Sequence, residues 1–122
     1  MTGSLTPTLR IPFVRRCSLR TANGATAAMV LDLSLLGVYV MSEQQPEIGE
    51  EVTVSFRVPG NSRELELGGL VAWLQGKQTH PVHGLPRGFG LRFVRLDVGD
   101  VRLITSTILS YCESNPIYRQ YL

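Results

Sequence analysis

Asp32-Leu33-Ser34-Leu35-Leu36-Gly37 interrupts an apolar run, Ala27 to Met41, with two small polar side chains and a glycine at fixed spacing. If the segment is a strand, Asp32 and Ser34 lie two apart and share a face. A carboxylate and a hydroxyl in apolar surroundings must find hydrogen-bonding partners. Gly37 supplies either a tight turn or a place where another backbone or a ligand comes close.

Working outward, the chain reads as strands followed by one helix. Ile11, Phe13, Cys17 and Leu19 alternate with Pro12, Val14, Arg16, Ser18 and Arg20, with Arg15 alone breaking the pattern. Ala22-Asn23-Gly24 is a hairpin turn into a strand from Ala27 to Leu33, and Gly37 to Met41 forms a third strand. A polar loop, Glu43 to Gly49, precedes the cleanest alternation of all, Val52, Val54, Phe56 and Val58. Leu65, Leu67, Val71 and Trp73 share a period of two that turns them inward, with Gly68-Gly69 expected to mark a bend or bulge where the barrel turns its corner. The last strand, Gly88 to Leu96, carries Phe89, Leu91 and Phe93 to the core. Asp97 is placed to cap a helix with Asp100 in its first turn, and Val101, Ile104, Ile108 and Tyr111 give that helix an apolar stripe to about Cys112. Ser114-Asn115-Pro116 stops it. The expected fold is mainly β: an antiparallel barrel of six or seven strands, closed at one mouth by a C-terminal helix. A flexible N-terminal segment (1–10) and a C-terminal tail (113–122) flank the 11–112 barrel unit.

Composition sets outer limits. At 122 residues with 43% hydrophobic content the chain is one folded domain rather than a disordered one. No apolar run is long enough to span a bilayer and Met1 to Thr8 lacks a signal-peptide core, so the expectation is a cytoplasmic protein without membrane insertion, monomeric or homodimeric. Cys17 and Cys112 read as reduced, buried thiols. The net charge is only +2, but Arg10, Arg15, Arg16 and Arg20 all precede the first acidic residue, and of the basic residues only Lys77 is lysine. Arginine is the residue whose planar fork suits phosphates and guanine edges. Small barrels host many functions, so function rests on the site.

Three motifs in order, Asp32-x-Ser34-x-x-Gly37, Gly69-x-Val71-x-Trp73 and Gly88-x-Gly90-x-Arg92-Phe93, followed by a terminal helix, resemble the PilZ domain family from about Arg10 to Tyr111. The resemblance implies a six-stranded barrel carrying cyclic di-GMP on its outer surface. It implies Asp32 as acceptor for guanine N–H donors, Ser34 as a phosphate or base contact, and Gly37 as a gap that lets the nucleotide approach the backbone. The family's RxxxR motif departs from its pattern here. Arg16-Cys-Ser-Leu-Arg20 has the spacing but falls inside the first strand. Arg10 sits where the second arginine belongs, directly before Ile11-Pro-Phe, and the first position is Thr6. Losing one charge-assisted contact of about 1.5 to 3 kcal/mol weakens binding by roughly ten- to a hundredfold or more. Arg15 or Arg16 on the neighbouring strand would compensate, with Arg20 a further candidate. The implied role is a cyclic di-GMP receptor and adaptor that signals to a protein partner by ordering its N-terminal segment. The alternative is a PilZ-like interaction module without the nucleotide.

Other classes fit less well. A single-stranded nucleic-acid binder would show its aromatics on an outer face, whereas Phe56, Trp73, Phe89 and Phe93 are expected inside. No catalytic constellation is present: His80 and His83 lack a third nearby ligand, no nucleophile has a recognisable base, and no metal or cofactor is implied.

Overall fold

In β1 (Ile11–Thr21), Ile11, Phe13, Cys17 and Leu19 are buried while Pro12, Val14, Arg16, Ser18 and Arg20 face solvent, as period-two alternation requires. Arg15, the charged residue among the inward positions of this alternation, follows a register slip with the next strand between Pro12 and Arg15. The residue falls on the inward phase, half-buried, with its guanidinium 5.5 Å from the Phe13 ring. The structure is a computed structural model and describes residues 6–76 and 84–122; His80 and His83 lie outside the described residues.

The strands that follow are β2 (Gly24–Leu33), β3 (Gly37–Met41), β4 (Glu51–Arg57), β5 (Glu64–Gln75) and β6 (Gly88–Phe93). All pair antiparallel in the closed order β1-β2-β3-β6-β5-β4, with β4 returning to β1. Closure gives every strand two neighbours, with β1 meeting β4 through Ser18, Leu19 and Arg20. The count is therefore six strands. Inward side chains from every strand fill a single core, and each fully buried Val, Leu, Ile or Phe contributes on the order of 1.5–3 kcal/mol.

Helix α1 (Val98–Ser114) starts at a reciprocal cap: Asp97 accepts from the Asp100 backbone N–H at 2.7 Å and Asp100 accepts from the Asp97 N–H at 3.3 Å. Ile104, Ile108 and Cys112 are its buried stripe and join the barrel core, while Val101 is exposed, contrary to its place in the expected stripe. The helix runs beside Ile11, Phe13 and Pro59, at the end of the barrel where β1 begins and β4 has just ended. Pro116–Tyr121 then forms a short 3-10 turn whose Tyr118 packs edge-on against Tyr111 at 5.1 Å. No described helix is long and apolar enough to cross a membrane.

Both cysteines are buried and unbridged. Burial pushes the Cys17 thiol up to about 11, against a smaller opposing effect of its hydrogen bond with the Val30 backbone, and pushes the Cys112 thiol up as well. Tyr39 rises to about 12, first through burial and then through the nearby Asp32 charge. The unfolded chain releases these protons near the ordinary values of 9.0 and 10.0, while the folded protein holds them. Above pH 9 the unfolded state therefore binds fewer protons, and stability falls as pH rises. The expected result is a melting temperature that stays level up to about pH 8.5 and declines steadily between about pH 9 and 12. Thermal melts across that range check it, and a flat profile contradicts it.

Candidate functional site

Four residues on adjacent strands line up across the outer face of the barrel. Asp32 on β2 is paired with Tyr39 on β3, Tyr39 with Gly90 on β6, and Gly90 with Trp73 on β5. The row exists because of two register slips. One lies between Val30 and Asp32, and sets Asp32 outward while Val30 and Leu33 stay inward. The other lies between Val71 and Trp73, so that Leu74 replaces Trp73 in the core. This corrects two expectations: Gly68 and Gly69 keep regular pairs with Thr53 and Val52, and Trp73 faces out. A bulge at Ala72 shifts the phase by one residue, which flips every side chain beyond it.

Trp73 lies across Gly90. A Cβ at Gly90 would sit 2.0 Å from the indole Nε1, so only glycine leaves the ring room. The indole then stacks on Tyr39 with centroids 5.3 Å apart and planes 28° from parallel, which leaves Tyr39 only 2% exposed although it points away from the core. The Tyr39 hydroxyl donates to the Pro86 carbonyl, tying the row to the segment that leads into β6. Asp32 Oδ1 accepts from the Tyr39 backbone N–H at 2.9 Å and forms an ion pair with Arg10. Arg10 belongs to the segment before β1 and reaches Asp32, at the end of the row, from the side of Pro12, the residue opposite Asp32.

The other expected site residues separate into distinct roles. Ser34 is not on the face of Asp32, because β2 ends at Leu33 and Ser34 opens the turn to β3. It is fully buried. Its hydroxyl accepts from the Leu36 N–H at 3.1 Å and the Gly37 N–H at 3.2 Å, and donates to the Gly37 carbonyl at 3.4 Å. Gly37 is close to another backbone: a Cβ there would meet the Leu91 carbonyl oxygen at 1.9 Å. Arg15 lies over Phe13, Arg16 is outward opposite Met29, and Arg20 pairs with Glu66 at 3.2 Å near the hairpin end of β1, far along the strand from Asp32. Sequence reasoning missed Tyr39 and the outward setting of Trp73. The available signal was that Tyr39 alternates with Val38 and Val40, which are core residues.

The PilZ domain family model matches residues 8–110. The chain belongs to the PilZ family. PilZ domains form a family of cyclic di-GMP receptors. Among solved structures the chain is similar to the motility inhibitor MotI/DgrA of Bacillus subtilis, with a TM-score of 0.69 at 16% identity over 88% of this chain and 51% of that one. This PilZ chain thus spans about half the length of the Bacillus protein. It is also similar to the PilZ domain of YcgR from Escherichia coli, a structure with cyclic di-GMP, at TM-score 0.60 and 16% identity over 87% of this chain and 93% of that one. The PilZ domain of CeSA from a cellulose-synthesizing bacterium gives 0.57 and 17% over 85% and 98%. No curated protein matches.

Proposed function

We propose that this PilZ protein is a cyclic di-GMP receptor that binds the nucleotide over the Asp32–Tyr39–Gly90–Trp73 row and acts on a protein partner as an adaptor. The observation that carries the reading is the Arg10–Asp32 ion pair at one end of a row whose other end is Trp73, stacked on Tyr39 between them. It brings together a guanidinium for phosphate or the guanine O6/N7 edge, a carboxylate for the guanine N1 and N2 donors, and an aromatic face for stacking. Ser34 and Gly37 act through the turn: the buried hydroxyl holds it, and the missing side chain lets β3 and β6 approach.

Arg10 and Asp32 satisfy each other in the structure, so the nucleotide must part them. Magnitudes favour the nucleotide. A partly exposed ion pair is worth about 0.2–1 kcal/mol, whereas each charge-assisted hydrogen bond to a ligand contributes about 1.5–3 kcal/mol. On binding, Arg10 moves to the ligand and Asp32 turns to guanine, and the residues before β1 follow Arg10. The segment before β1 becomes ordered over the nucleotide, and that new surface is what a partner reads.

Calorimetric titration with cyclic di-GMP tests binding, and hydrogen exchange tests the mechanism. Micromolar or tighter affinity is expected, together with slower exchange in the amides of residues 6–12 at saturation. Equal exchange with and without ligand rejects the ordering mechanism. Silence in the titration rejects the receptor and leaves a nucleotide-independent interaction module, the reading that the full commitment of the Ser34 hydroxyl to its turn would then support.

A further inference from the structure

A second row crosses the same outer face one step along the strands. Arg16 on β1 is opposite Met29 on β2, Met29 is opposite Met41 on β3, and Met41 is opposite Gly88 on β6. Arg87 immediately precedes Gly88, and its carbonyl accepts from the Ser42 N–H at 3.1 Å, which fixes it beside the end of β3. Together with Glu43 and Pro86 these side chains line a groove of about 500 Å³.

The composition of this groove is unusual for an outer barrel face. Its floor is two methionines, with Met41 36% exposed, and soft thioethers pack well against flat aromatic rings. Arg16 and Arg87 flank the floor, and neither has an ion pair among the described residues. Glu43 adds a carboxylate. Arginine, carboxylate and an apolar floor repeat the chemistry of Arg10, Asp32 and Trp73 in the first row. Tyr39 and Met41 lie two residues apart on β3, so the rows are about 7 Å apart. That separation is within the reach of one cyclic dinucleotide, which carries two guanines and two phosphates.

We infer that the Arg16–Met29–Met41–Arg87 groove is a second guanine-phosphate subsite. It takes the half of cyclic di-GMP that Arg10 and Asp32 do not hold, and Arg16 on β1 and Arg87 just before β6 supply the arginine contact that Thr6 cannot. The inference rests on the receptor reading proposed above. Arg16 and Arg87 offer their forks to a phosphate and to the guanine O6/N7 edge, Glu43 accepts from the N1 and N2 donors, and the methionines carry the base.

The test is calorimetric titration of cyclic di-GMP into wild-type protein and the Arg16→Ala, Arg87→Ala and Asp32→Asn variants, each with a melting curve. Both arginines are exposed and without an ion pair among the described residues, so the melting temperature is expected to stay at the wild-type value. Each arginine variant is expected to bind about tenfold or more weakly, and the Arg16→Ala/Arg87→Ala double variant about a hundredfold. Arg16→Lys and Arg87→Lys keep the charge without the fork and are expected to recover only part of the loss. Wild-type affinity in both alanine variants, alongside loss in Asp32→Asn, overturns the second subsite and leaves the receptor standing. No binding by the wild-type protein overturns both.

Discussion

Replacing Gly37 by alanine is expected to lower the midpoint of thermal unfolding by about 10 °C or more, the shift that roughly 3 kcal/mol produces in a domain of this size. The added Cβ would lie 1.9 Å from the Leu91 carbonyl oxygen, 3.0 Å from its carbonyl carbon and 3.2 Å from the Arg92 Cα. All three are backbone atoms of β6, so no side-chain rotation relieves the clash. The strands must separate where Gly37 is opposite Arg92 and where the Phe93 N–H reaches the Leu36 carbonyl at 2.8 Å. Opening that seam also disturbs the Ser34 turn. Gly68→Ala is the matched control: nothing lies within 4 Å of a Cβ there, and it is expected to hold or slightly raise the midpoint, by up to about 1 kcal/mol of stability, because alanine restricts the unfolded chain. Circular dichroism melts of the two variants decide the matter. A Gly37→Ala midpoint within about 2 °C of wild type would show that the β3–β6 contact yields more easily than backbone packing allows.

Asp32→Asn is expected to weaken cyclic di-GMP binding by about a hundredfold or more while leaving the fold intact. Asparagine keeps a carbonyl oxygen where Asp32 Oδ1 accepts from the Tyr39 N–H, so the β2–β3 junction retains its bond. It loses the charge that strengthens both guanine N–H contacts, and its amide offers donors where the guanine edge also presents donors. Asp32→Ala removes both functions. It is expected to lose binding and also about 1 to 2 kcal/mol of stability, because the Tyr39 N–H loses its acceptor. Calorimetry and thermal melts of the pair separate ligand recognition from support of the strand junction. Affinity in Asp32→Asn within a few-fold of wild type would remove Asp32 from the site.

The barrel was largely legible in the sequence because alternation is a local signal. Val52, Val54 and Phe56 needed no knowledge of their neighbours to be placed inside, and Asp97 with Asp100 announced the start of the helix by spacing alone. Phase was not legible. Trp73 has the right parity to accompany Val71 until one extra residue slips in at Ala72, and no residue type obliges a bulge there; the paired glycines at 68–69 drew the expectation to the wrong place. The same holds for the site. Asp32 was evident as a polar group in an apolar run, but that it stands level with Tyr39, Gly90 and Trp73 is a matter of register between strands distant in the chain. Ser34 would share the face of Asp32 only in a strand that ran through it. The expected strand and the observed one both end at Leu33, so Ser34 opens the turn and its hydroxyl is buried there.

Trp73 is the chain's single tryptophan, and it lies flat on Tyr39 in the row that begins with Asp32. The indole emission of the whole molecule therefore originates from one place on the outer wall of the barrel. A change in its colour or intensity reports on that wall and nowhere else, so the protein carries its own optical probe, installed without a label.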